Sequence, residues 1–271
     1  MSFDFIEYKT HRIEIQRRLG DNTEPLIGHD VTFKVTTETT MIDAKQGVED
    51  GSKSGSVFVA GQQLSGRGRR GRSFVSAPGA GLWSTFYFIV EESQQASLVS
   101  LTAALAISDS FMELFGVVVD IKWPNDIQIN GKKISGILPD LTLRDSVFEM
   151  YLGIGINIKT PSDLPADVST IATSIEKLGL DTPSRELLLA NLSFFLEKRL
   201  SQARAEPAKL IKDWKSQLVT LGKRIRLVTP GGDVTGLATD VNSFGELILE
   251  LDDGSIGTYA AGDVHTLRVA D

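Results

Sequence analysis

The stretch VVVDIKWPNDIQINGKKISGIL, residues 117–138, carries the most structural information in the chain. Val117–Trp123 is β-branched and apolar enough for a strand. Pro124 cannot donate to a ladder and stops that strand, so Asn125 and Asp126 fall at a strand end, where site residues collect. Asp126–Ile129 and Lys133–Leu138 then flank Asn130-Gly131. That dipeptide accepts positive φ at both central positions of a two-residue turn, so the two runs form a β-hairpin. The stretch predicts an antiparallel sheet with polar and basic groups at one end.

Outward from it, Ala96–Phe115 has helical apolar spacing and ends at Gly116, which suits a left-handed C-cap. Val31–Val35, Ser56–Ala60, Leu82–Val90 and Phe148–Ile158 read as strands. Thr36–Thr40 is a Thr-rich turn before a helix from Met41. Thr182-Pro183 reads as an N-cap and first helical residue, opening a helix to about Leu200, and a further helix covers Pro207–Trp214. Residues 1–30 show no periodicity that places them. After Leu221 the texture changes to short β-rich runs at 224–228, 234–241, 247–251, 257–260 and 264–269, which suggest a small barrel. The expected fold is α+β, a mixed β-sheet with flanking helices over residues 1–220, followed by a small β-barrel over 221–271.

Composition narrows the function. The 271 residues carry a net charge of −7, which argues against a general nucleic-acid binder. There is no cysteine, so disulfide scaffolds, Cys-ligated zinc and Cys acyl-enzymes are excluded. His11, His29 and His265 are too scattered in sequence to suggest a metal site. We read no signal peptide and no membrane span, which makes a cytoplasmic setting the expectation.

Against that acidic background, Gly66-Arg67-Gly68-Arg69-Arg70-Gly71-Arg72 stands out. It satisfies G-x-G-x-x-G, but Pro78, Gly79 and Gly81 prevent the helix a dinucleotide fold requires next. Glycines let backbone approach a ligand, and arginines bind phosphate oxygens bidentately. With no acidic partner nearby in sequence, four arginines should repel one another and leave a clamp that orders only on an anion. A solvated basic loop is the plainer alternative. Gly153-Ile154-Gly155-Ile156-Asn157 would bare one strand face at Gly153 and Gly155, for a ligand or for close packing. Asp126 has the chemistry to hold Mg²⁺ or a ribose hydroxyl, and Lys133, if turned inward, that of a catalytic cation. An ordinary turn and a solvated lysine are the bland readings of each.

Taken together and in this order, QLSGRGRRGR (63–72), KWPND (122–126), KISGIL (133–138) and GIGIN (153–157) resemble the biotin–protein ligase family. The resemblance runs from Val31 to about residue 269, and the C-terminal segment looks like that family's SH3-like appendage. It implies ATP-dependent activation of biotin to biotinyl-5′-AMP, with Mg²⁺, and transfer to a lysine of a biotin carboxyl carrier protein. It further implies that Thr39, Thr40, Gln63, Gly66, Arg67, Lys133, Gly136, Leu138, Gly153 and Gly155 bind biotin. Arg69, Arg70, Arg72, Phe74, Asn125, Asp126 and Asn157 would serve the nucleotide, with Lys133, Arg67 and Arg69 catalytic and Asp126 the metal ligand. Two positions depart from the family pattern: Met41 stands where an Asn is usual, and Phe74 where a Trp is usual. About thirty residues precede the first strand, too few for the winged helix-turn-helix of repressor members, so no DNA binding is expected; a homodimer is compatible. A lipoate or octanoate ligase of the same fold and a non-catalytic biotin sensor are the alternatives.

Overall fold

The computed structural model describes residues 2–90, 93–229 and 231–267. It opens with a helix where no element was expected, α1 (Phe5–Arg18), capped by Asp4, whose carboxylate accepts from the Ile6 and Glu7 amides. Its buried residues are Tyr8, Arg12, Ile15 and Gln16. Half of that buried face is polar, Arg12 and Gln16, which interrupts the apolar periodicity and leaves the helix silent in the sequence. Arg12 is held by Glu197 at 2.7 Å, and Glu197 also accepts from the Leu26 and Ile27 amides.

Seven strands form the main sheet: β1 (Val31–Lys34), β2 (Val57–Ala60), β3 (Gly81–Val90), β4 (Asp120–Lys122), β5 (Asp126–Ile129), β6 (Lys132–Arg144) and β7 (Val147–Asn157). Their spatial order is β1-β2-β3-β7-β6-β5-β4; β1–β2 is parallel and the other pairs are antiparallel. The β5–β6 turn has positive φ at Asn130 (53°) and Gly131 (73°), as the dipeptide demands. β4 is shorter than the expected strand, because Val117–Val119 only leads into it. Gly116 caps the preceding helix in the left-handed conformation, φ 64°.

Helix α2 (Thr40–Glu49), capped by Thr39, lies on one face over β2, β3 and β7. The opposite face carries α3 (Ser93–Phe115), α5 (Arg185–Ala205) and α6 (Pro207–Lys215), with α1 packed on α5 and the short α4 (Ala166–Ile171) near β6. Helix α5 starts later than expected: Ser184, not Thr182, is the cap, its hydroxyl accepting from the Leu187 amide at 3.1 Å. Among the described residues one stretch, Ala96–Phe115, is long and apolar enough to cross a membrane, but 67% of its apolar window is buried within this fold.

A second, antiparallel sheet holds β8 (Arg224–Thr229), β9 (Gly232–Val241), β10 (Leu247–Leu251), β11 (Ile256–Tyr259) and β12 (Asp263–Thr266), in the order β11-β10-β9-β8-β12. These are the five short runs expected, though the described part of the last ends at Thr266; residues 268–269 lie outside the described residues. The buried residues Ile225, Leu227, Leu247, Leu249 and Val264 join the same apolar cluster as α3 and the main sheet. Trp123 connects the two, its indole nitrogen donating to the Gly245 carbonyl at 3.0 Å.

Candidate active site

The α2 face of the main sheet leaves a cavity of about 550 Å³, within the usual range for a small-molecule site. Strand register dictates its floor. One cross-strand row runs Trp83, Gly155, Gly136, Asp126, Lys122 from β3 to β4, and the next runs Thr85, Gly153, Leu138. Directly opposed residues share a face, so glycines leave the middle of the floor bare between polar groups at either side. A Cβ at Gly155 would come within 2.7 Å of the Phe74 ring, and one at Gly136 within 3.1 Å of Lys133 Cε. Gly153 is less tightly confined: its nearest neighbour would be the Leu138 carbonyl at 3.2 Å, with Met41 Cε at 3.4 Å.

At the β3 side three side chains are linked. The Thr40 amide and hydroxyl donate to Gln63 Oε1, at 2.9 and 3.2 Å. The Thr40 and Thr85 hydroxyls lie 2.8 Å apart. Gln63 Nε2 donates to Ser76 Oγ at 2.8 Å, and Ser76 in turn donates to the Phe74 carbonyl. Thr39 also lines the cavity, while its hydroxyl accepts from the Ile42 amide to start α2.

At the β4–β5 side, Lys133 Nζ sits 2.5 Å from Asp126 Oδ1 and 5.8 Å from the centre of the Phe74 ring. The ring stands edge-on to Trp83 at 5.7 Å between centroids. Asn125 and Asn157 line the cavity too, but their amide nitrogens are engaged on backbone, at Ile137 O (2.6 Å) and Thr173 O (2.9 Å). Asn125 Oδ1 receives Arg69 Nη1 at 3.3 Å. Burial lowers the Arg69 pKa, opposed by the nearby Asp263 charge.

The arginine loop is held in a defined shape. Its neck is closed by Phe74 N donating to Gly66 O (2.8 Å) and Gly68 N donating to Arg72 O (2.7 Å). Gly66 is not on the cavity wall; a Cβ there would meet the Phe74 carbonyl at 2.3 Å, so it serves the neck. Arg67, Arg69 and Arg72 line the cavity and Arg70 does not. Arg70 reaches the second sheet, donating to Val228 O (3.0 Å) and to Asp263 Oδ2 (3.1 Å), and Arg72 also pairs with Asp263. The expectation of a clamp without acidic partners is thus corrected: the partner exists, about 190 residues along the chain, and tertiary folding supplies it.

Among the described residues, Arg67, Arg69, Arg72, Lys122, Lys133 and Lys159 line the cavity against only Asp126 and Asp263. A cavity this basic in a chain of net charge −7 favours anions. No group of three or more His, Asp or Glu able to hold a metal occurs among the described residues. Mg²⁺ commonly uses one or two carboxylates and completes its shell with water and substrate phosphates. Asp126 suits that mode and no closed protein cage. Several wall residues were missed from the sequence: Trp83 and Thr85, whose alternation is hidden in a strand buried on both faces; Lys122; the segment Lys159–Ser174; and Asp263 to His265 from the second sheet.

Comparison with known proteins adds the decisive observation. Residues 32–157 match the Biotin/lipoate A/B protein ligase family, and residues 220–265 match the biotin protein ligase C-terminal domain. The bifunctional ligase/repressor BirA of Bacillus subtilis is 32% identical over 254 residues, covering 92% of this chain and 77% of that one. The chain belongs to the biotin protein ligase family. The biotin--[acetyl-CoA-carboxylase] ligase of Mycobacterium tuberculosis is 36% identical, over 79% of this chain and 80% of its own. Among solved structures, the Aquifex aeolicus biotin protein ligase in complex with biotin and ATP superposes with a TM-score of 0.75 at 23% identity, over 89% of this chain and all of that one. The Leishmania major biotin protein ligase in complex with biotinyl-5-AMP gives 0.58 at 26% identity, over 86% of this chain and 99% of its own. The mixed sheet with helices and the small SH3-like β domain are the architecture of this family.

Proposed function

We infer that this protein is a biotin–protein ligase: it joins biotin to AMP at the expense of ATP, then transfers the biotinyl group to a lysine of a biotin carboxyl carrier protein. The observation that carries the choice of biotin is the linked Thr40, Thr85 and Gln63 across a glycine floor from Lys133. With Thr40 donating to Gln63, Thr85 donates to Thr40. That leaves hydroxyl lone pairs to accept and one Gln63 N–H to donate. A cyclic urea, with two N–H groups and one carbonyl, complements this set; a dithiolane ring offers neither and would bury the polar groups without compensation. The opposite end presents cations, as a carboxylate and a phosphate require.

In this reading Thr39, Thr40 and Gln63 hold the ureido ring. Gly136, Leu138, Gly153 and Gly155 leave room for the ring and chain. Lys133 and Arg67 receive the carboxylate, and Lys133 exchanges Asp126 for it. A carboxylate oxygen attacks the α-phosphorus, the bond from that phosphorus to the pyrophosphate oxygen breaks, and pyrophosphate leaves. Two anions must meet, so preorganised positive charge lowers the barrier. Arg69 and Arg72 cover the adenylate, Phe74 walls it, and Asn125 and Asn157 fasten the backbone around it. Mg²⁺, bound with ATP and held by Asp126, would supply further charge neutralisation. In the second half-reaction the neutral carrier amine attacks the acyl carbon, AMP departs and the amine loses a proton. The setting is the cytoplasm, where ATP is available. The described segment before β1 carries one helix, docked on α5.

The test is pyrophosphate release from MgATP by the purified protein with biotin, lipoate or octanoate. Release with biotin alone is expected. Release with lipoate or octanoate alone would keep the chemistry and overturn the substrate, and silence with all three would leave a binding protein.

A further inference from the structure

We propose that Asp263, in the second sheet, is a positioning residue for the phosphate-binding loop of the first, and that Arg70 is its anchor rather than a ligand for the nucleotide. This inference rests on the ligase reading for its kinetic consequence but not for its structural one.

The loop bears four arginines within six residues, 67 to 72. Left to itself such a segment spreads by self-repulsion, and ordering it on a ligand costs binding energy. Asp263 and Val228 are cross-strand partners on β12 and β8. The Arg70 guanidinium caps that pair, its Nη1 donating both to the Val228 carbonyl and to the Asp263 carboxylate. Arg72 meets the same carboxylate. Asp263 is only 18% exposed, so its charge is less screened than that of a surface pair. Arg70 itself holds positive φ, 55°, a conformation that a non-glycine residue adopts when its surroundings impose it.

The consequence is a division of labour. One carboxylate neutralises part of the repulsion and pins the outer side of the loop, at Arg70. Arg67 and Arg69 are thereby held on the cavity wall, with Arg69 completed by Asn125. Arg72 lines the cavity and touches Asp263, so it joins the anchor to the site. The second sheet acts at a distance from the reacting atoms by preorganising the cations that meet them.

Trypsin cleavage within residues 67–72 of the substrate-free protein, mapped by fragment mass, reads the anchor without any activity. Asp263→Asn and Arg70→Met are each expected to raise the cleavage rate several-fold, while Asp263→Glu stays near wild type. In biotin-dependent pyrophosphate release, Asp263→Asn is expected to raise the KM for ATP about three- to tenfold with kcat changed less than about twofold, the range of a partly screened ion pair lost from ground and transition states alike. Unchanged cleavage in Asp263→Asn would overturn the anchor, as would equal acceleration in Asp263→Glu. Faster cleavage with an unaltered KM would overturn the positioning role. Absence of biotin-dependent release in the wild type would sink the ligase reading alone, because the proteolysis comparison stands without it.

Discussion

Lys133 is the side chain on which the proposed chemistry turns. Its ammonium is paired to Asp126 at 2.5 Å and lies beside the bare floor at Gly136 and Gly155. Lys133→Ala is expected to lower biotin-dependent pyrophosphate release by about a hundredfold or more, the usual scale for one preorganised charge, with an unchanged melting temperature; wild-type release from that variant would remove Lys133 from the reaction. Gly155 makes a second, independent test. An added Cβ would sit 2.7 Å from the Phe74 ring, so Gly155→Ala should push that ring into the slot. The expected result is a Kd for biotin raised about tenfold, the scale of one overpacked methyl, and isothermal titration with biotin would check it. Gly153 and Gly155 were legible from the G-x-G alternation as points of close approach. Only the register shows that they face Gly136 and Leu138 across one floor.

At the scale of elements, α1 and the segment after it are held by charge. Asp21 accepts from Lys198 and from the Thr23 amide and hydroxyl, and these bonds lower its pKa to about 2. A carboxyl depressed in the folded state stabilises above its unfolded pKa and loses that stabilisation as pH falls through the folded value. The melting-temperature difference between wild type and Asp21→Asn is therefore expected to be full at pH about 5, to shrink as pH falls through about 2 and to vanish near pH about 1, below both pKa values; a difference that persists at pH about 1 would show that Asp21 acts by packing. Helix α5, on which α1 rests, begins at the Ser184 cap. Ser184→Ala should cost about 1 kcal/mol of stability, measurable by denaturant unfolding.

For the whole molecule, the apolar cluster is continuous from the main sheet through α3 into the second sheet. Trp123 is buried at that junction with its indole bonded to Gly245 O, and a Cβ at Gly245 would press on Leu101 of α3. Two sheets sharing one core should melt together. Calorimetry is expected to show a single transition, and Trp123→Phe to lower the unfolding free energy by about 1 kcal/mol or more, the net worth of one buried hydrogen bond; two resolved transitions would mean that the sheets are independent units.

Local chemistry was enough to determine much of this protein. Asn130-Gly131 admits one tight turn because both residues tolerate positive φ. Apolar periods mark most helices and strands, and the order of the arginine loop, KWPND, KISGIL and GIGIN identifies the family. What stayed hidden was whatever depends on a partner distant in sequence. Helix α1 buries Arg12 and Gln16, whose polarity makes sense only against Glu197 and the Thr23 carbonyl. Thr85 joins the site only once β3 lies beside β7. The arginine loop looks unpaired until the fold brings up Asp263, since the field at a charge is set by neighbours in space and not by neighbours along the chain.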